Sequence, residues 1–164
     1  MRDRDGSFPC EAFLAGKTYG RFHIDLGFGD EMGDRPDVLA GDDLLAFAGI
    51  SPGRMLAVPK PRQFAEKIHA YTYPWSDRVN MRTKDLIDLV LMIETSSVAP
   101  DQLAAPIKAT FARRKSHEMP VALPEPPAIW ATEFAALAVE AQLFASTIDA
   151  AYPTLAAFWS QILF

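Results

Sequence analysis

Residues 63–92, QFAEKIHAYTYPWSDRVNMRTKDLIDLVLM, decide the fold, because they encode two helices separated by a proline break. Pro61 suits a helix first turn, where its missing N–H costs nothing, and the spacing predicts a helix from there to about Tyr73. Phe64, Ile68 and Tyr71 form its apolar stripe. At about 100° per residue, Ile68 and Tyr71 fall within about 40° of Phe64, and Lys67 falls about 60° away, at the stripe's edge. Glu66 is expected to point to solvent. Pro74 stops this helix. The next is predicted from Thr83, as N-cap, to about Thr95. Leu86, Ile87, Leu89, Val90, Leu91 and Ile93 make it apolar on most sides, as befits the centre of a bundle.

Toward the C-terminus, a third helix is predicted from near Pro100 to Arg113-Arg114-Lys115, basic residues that favour the negative end of a helix dipole. Val121 to Pro127 is proline-rich and reads as an extended connector. Two alanine-rich helices are expected after it, Ala128 to Ser146 and Ile148 to Leu163, the second disturbed at Pro153. Toward the N-terminus the pattern changes period. Glu11 to Leu14 reads as a short strand and Gly16-Lys17-Thr18 as a turn. From Tyr19 to Phe28 the residues alternate, with Phe22, Ile24 and Leu26 on one face and Arg21, His23 and Asp25 on the other. Gly27 to Gly33 reads as a loop, and Arg54 to Val58 as another strand. The expected fold class is α+β, with a sheet region over residues 1–59 and a helical domain over 60–164.

The chain has 164 residues, 49% of them hydrophobic and 23% charged, enough for one domain with a real core. No apolar run approaches the roughly 18 residues of a membrane span, and the opening MRDRDGSFPC has no apolar segment of a secretory signal. The single Cys10 excludes an internal disulfide and fits a reducing, cytoplasmic location. Charge is uneven. Residues 54–84 carry Arg54, Lys60, Arg62, Lys67, Arg78, Arg82 and Lys84 against Glu66 and Asp77, a net of +5. Residues 1–53 carry five bases against ten acids, a net of -5. A basic centre beside an acidic segment suits phosphate handling near metal-binding carboxylates; scattered solvated charge gives the same numbers.

Among candidate residues, Lys67 sits where its ammonium reaches a cleft and meets a polyphosphate, or where it simply snorkels along the surface. Asp85 and Asp88 share a face of their helix. Asp85 lies in the first turn, where the dipole alone favours an acid. Asp88, flanked by Leu86, Ile87, Leu89 and Val90, needs a cation or a donor; Arg82, Lys84 and Lys67 are the cations at hand. A salt bridge pinning two helices and a catalytic carboxylate both account for Asp88 at this point. Asp25, on the polar face of its strand, is a candidate Mg²⁺ ligand. His23, His69 and His117 lack zinc-site spacing. No Walker loop, Rossmann fingerprint or nucleophile elbow is present.

Four segments carry a resemblance. FHIDLGFGD (22–30), QFAEKIHAY (63–71), RTKDLIDLVLM (82–92) and RRKSHEMPVALPEPPAIW (113–130) resemble, in turn, the strand after the catalytic half, the AEKL-type helix, the R-x-K/R-D-L-x-D-L helix and the connector of AbiEii-type nucleotidyltransferases. The likeness runs from about Pro9 to the end. It implies a partial polymerase-β-like nucleotidyltransferase sheet followed by a helical bundle, and a toxin-type enzyme that moves a nucleotide from an NTP to an acceptor such as tRNA with Mg²⁺. Lys67 then matches the phosphate-contacting lysine, with Arg82 and Lys84 as further nucleotide contacts. Asp85 matches the catalytic aspartate, Asp88 its support, and Asp25 a third, metal-binding carboxylate. Arg78, Arg82 and residues 113–115 would attract an RNA acceptor. A cognate antitoxin is an implied partner; a membrane is not.

The family's primary metal motif, a Gly-Ser turn followed by paired acids, is expected upstream, yet Gly6-Ser7 is followed by Phe8-Pro9-Cys10. The resemblance is thus to the C-terminal portion, inactive alone or completed by another chain at an exposed sheet edge, which implies self-association. The alternative is a non-catalytic helical module that keeps nucleotide or antitoxin contacts.

Overall fold

The computed structural model describes residues 6–26, 35–75 and 80–162, and the chain divides into two compact units, 1–35 and 36–164. The first unit is a hairpin of β1 (Gly6–Leu14) and β2 (Lys17–Leu26). Its turn is Ala15-Gly16, both at positive φ, 49° and 77°, the pattern of a two-residue hairpin loop matched to strand twist. Lys17 and Thr18, expected in the turn, already belong to β2. β1 is also longer than the expected strand at Glu11, because antiparallel pairing with β2 carries it back to Gly6. The register places Phe8 opposite Ile24 and Cys10 opposite Phe22, whereas Ser7 faces Asp25 and Glu11 faces Arg21. Alternation thus gives the hairpin one apolar and one polar face, as the sequence period predicts. The glycine loop at residues 27–33 lies outside the described residues.

The second unit opens with a short hairpin, β3 (Asp37–Ala40) and β4 (Arg54–Ala57). β4 was expected and β3 was not: four residues between proline and glycine are too few to show a period. The change from strand to helix at residue 59 falls inside this unit.

Five helices follow. α1 (Lys60–Tyr71) begins at Pro59, whose carbonyl accepts from the backbone N–H of Arg62 and Gln63. α2 (Thr83–Glu94) packs on α1, on α4 (Ala131–Glu140) and on α5 (Ile148–Trp159), so it holds the centre predicted for it. α3 (Ala104–Arg114) packs on α1 and ends with Arg113 and Arg114 in its last turn. Phe64, Ile68, Leu86, Leu89, Ile107, Phe134 and Leu155 are fully buried between these helices. Burying each such side chain contributes about 1.5–3 kcal/mol.

Four local expectations need correction. Thr83 is the first residue of α2 rather than its cap; fully buried, it donates instead to Glu133 Oε2 across to α4, at 2.5 Å. Glu66 does not face open solvent, since Arg113 and Arg114 of α3 both pair with it. The helix expected to reach Ser146 ends at Glu140, where Gln142 turns to φ 55° and the Glu94 carboxylate captures the N–H groups of Phe144 and Ala145, each at 2.8 Å. Pro153 does not interrupt α5, which runs continuously through it.

Candidate functional site

One face of α1 builds the site. Gln63, Glu66, Lys67, Ala70 and Tyr73 recur at helical spacing and line a cavity of about 680 Å³, within the size of a small-molecule site. α2 and the segment before it add Arg82, Asp85 and Trp75, and the end of α3 adds Arg114 and Ser116.

At its ionic end, Lys67 Nζ bonds Asp88 and lies 3.6 Å from Asp85 Oδ1, so one ammonium bridges both acids of α2. Arg82 reaches Asp85 Oδ2 from the other side, also at 3.6 Å. That oxygen is buried and has no hydrogen-bond partner. Burial is the main cause that pushes the Asp85 carboxyl above its usual range, outweighing the pull of Lys67 and Arg82; Asp88 pushes the same way. The two acids trade the environments their neighbours in sequence imply. Asp85, in the first turn, has a side chain only 13% exposed, while Asp88 is 41% exposed. Packing of α1 across the first turn of α2 causes this, which the residues flanking each aspartate do not reveal.

The opposite wall is neutral and aromatic. Ser116 Oγ lies 2.9 Å from His69 Nε2 and 3.0 Å from His117 Nδ1, and His117 Nε2 meets Thr72 Oγ1 at 2.9 Å. Burial, helped by His117, holds His69 down at about 4, so it is neutral at pH 7; burial lowers His117 too. Tyr73 contacts both Trp75 and His117 edge-on, with centroids 4.9 and 5.6 Å apart, and Arg82 stacks 5.9 Å from the Trp75 ring.

Of the residues singled out from sequence, Lys67, Arg82 and Asp85 share this cavity, and Asp88 joins it through Lys67. Lys84 is exposed and does not line it. Asp25 belongs to the other unit, on the polar face of β1–β2. Arg78 lies outside the described residues. His69, Ser116, Tyr73 and Trp75 were not anticipated; their one signal was the continuation of the Gln63–Lys67–Ala70 spacing to Tyr73.

Residues 5–160 match the family model described as nucleotidyl transferase AbiEii toxin, type IV TA system. The chain belongs to the AbiEii family. No curated protein gives a match. AbiEii membership agrees with the α+β order of strands first and helices after. It implies a nucleotidyltransferase-type function, a nucleotide substrate and an antitoxin partner. No described helix is long and apolar enough to cross a membrane.

The site also bears on the metal that such enzymes employ. Among the described residues no three His, Cys, Asp or Glu side chains gather to hold an ion. The buried, unbonded Asp85 Oδ2 fits a lesser task, that of one carboxylate beside the phosphates that supply most of a Mg²⁺ ion's ligands.

Proposed function

We propose that this AbiEii-family chain binds a nucleoside triphosphate in the α1–α2 cavity and serves transfer of its nucleotide to an acceptor hydroxyl, such as that of a tRNA. The observation that carries the reading is that Lys67, Arg82 and Asp85 line one cavity. Lys67 contacts the phosphates, leaving the two aspartates it bridges in the free chain. Arg82 is a second phosphate contact, and Lys84, exposed nearby on α2, adds to the field that draws in the anion. The acceptor oxygen bonds to the α-phosphorus as its bond to the pyrophosphate oxygen breaks, and pyrophosphate leaves. The acceptor's proton passes to a carboxylate; Asp85, whose proton affinity burial raises, suits that task. Asp88 holds Lys67 in position. Mg²⁺ arriving with the triphosphate neutralises charge on the departing phosphates. Asp25 serves as a further carboxylate for the metal, and Arg113 to Lys115 meet the RNA. Partners are the cognate antitoxin and a second chain at the open hairpin edge, in the cytoplasm.

Incubation with Mg²⁺, labelled NTPs and total tRNA tests this. Transfer is expected to fall at least ~100-fold in Lys67→Ala and in Asp85→Asn, as for loss of a charged group acting in the transition state. Asp85→Asn is expected to melt no lower than wild type, because burial disfavours the ionised carboxylate it removes. NTP binding by the wild type without any transfer would replace this reading with that of a non-catalytic binding module.

A further inference from the structure

The ionic end of the cavity accounts for phosphates but leaves its other wall without a task. That wall is aromatic and neutral. Trp75, Tyr73 and His69 line the cavity, and ring contacts run from Arg82 over Trp75, on to Tyr73, then His117, then His69 and Phe111. Tyr73 is 37% exposed, so part of its side chain is open to a ligand. Ser116 supplies directed polarity. A hydroxyl has one donor and two acceptor sites, and two imidazole nitrogens already engage it. One site is left over. Because each neutral imidazole presents a donor or an acceptor according to its tautomer, the site left on Ser116 adapts to either kind of partner. Aromatic faces beside one adaptable hydrogen-bonding group suit a flat heterocycle with polar edges and ill suit a polyphosphate. One helical turn, roughly 5 Å, separates Lys67 from the end of α1 where Tyr73 begins this wall, which leaves room for a sugar between the two ends.

We infer that the Tyr73–Trp75–Ser116 wall is the nucleobase subsite of this cavity, Tyr73 and Trp75 supplying the stacking surface and Ser116 the contact to the base edge. This rests on the proposal that the cavity binds a nucleoside triphosphate, with phosphates at Lys67. It adds that base affinity resides in residues that touch no phosphate. It also assigns specificity to a hydroxyl that bonds either a carbonyl or an amino group, so all four nucleotides are expected to bind within about tenfold of one another.

Titration calorimetry on the full chain with ATP, CTP, GTP, UTP and inorganic tripolyphosphate separates the two ideas. Tyr73→Leu and Trp75→Leu are each expected to weaken NTP binding about tenfold, the usual scale of one base–aromatic stack, and to leave tripolyphosphate binding unchanged. Tyr73→Phe, which keeps the ring, is expected to restore wild-type affinity and guards against a variant that fails to fold. Ser116→Ala is expected to weaken the NTPs only. Lys67→Ala reads the phosphate proposal independently, because it must weaken tripolyphosphate as well. If wild type binds NTPs no more tightly than tripolyphosphate, or if the leucine variants weaken both alike, the base subsite is overturned while the phosphate reading stands. If Lys67→Ala leaves tripolyphosphate binding intact, the phosphate reading fails on its own count.

Discussion

The β1–β2 hairpin and the helical part of the second unit solve opposite problems. Every fully buried apolar residue among those described lies between Phe64 and Ile162, on or between the helices. The hairpin has an apolar face of equal chemical quality, Phe8, Phe22, Ile24 and Leu26, and it remains 44–51% exposed. A helix with a stripe hides it against four neighbours, as α2 does. A two-stranded hairpin has only itself, and such hairpins are marginal without a third strand or a covering layer. Binary pattern therefore specifies which face wants burial, whereas burial itself depends on what the chain provides to cover that face.

The sharpest way to break this comparison is to truncate one aromatic on each side. Phe64 is fully buried and packs on Phe158 at a centroid distance of 5.7 Å. Phe64→Ala is expected to cost about 3–5 kcal/mol, the range for a core phenylalanine, read from the urea midpoint of the helical signal. Phe22→Ala, half exposed on β2, is expected to shift the same transition by no more than about 0.5 kcal/mol. Equal shifts would mean that Phe22 belongs to the same core.

What was legible in the sequence follows the same division. α1 and α2 announce themselves because stripe, proline and first-turn residues agree over a dozen positions. β3 does not, and neither does the early end of α4, which depends on a carboxylate from α2, Glu94, reaching the backbone at Phe144 and Ala145. The site shows the same limit. Lys67 could be placed from helical angle alone, since the angle decides the edge of its own helix. The exchange of environments between Asp85 and Asp88, and the meeting of His69 with Ser116 across 47 residues, require the packing of α1 on α2 and α3. No local pattern records that.

A smaller effect probes the helical side alone. His69 ordinarily titrates near 6.5 and is held to about 4. Between those values the unfolded chain binds a proton that the folded chain does not, so stability rises with pH there and falls as pH drops from about 6.5 toward 4. The loss is on the order of 2–3 kcal/mol. It is expected to disappear from the pH dependence of the urea midpoint in His69→Gln, and a wild-type midpoint flat across that window would show that His69 is not desolvated. The hairpin, whose residues are mostly exposed, should contribute little to this slope.

The smallest effect on stability is also the most informative about the hairpin. Phe22→Lys with Ile24→Lys puts two charges on the apolar face and leaves β1–β2 pairing, which uses the backbone, intact. Because neither residue is buried, the helical transition is expected to move by less than about 0.5 kcal/mol. Sedimentation velocity is expected to change, since large exposed apolar patches promote association and lysine on an open strand opposes it. Wild type should then sediment as a concentration-dependent mixture of species, and the double variant as a monomer. A wild type that is monomeric at every concentration would mean that the exposed face does not recruit a second chain. Loss of the helical transition in the double variant would mean instead that the face is covered by the chain's own helices in solution, and would erase the contrast between the two regions.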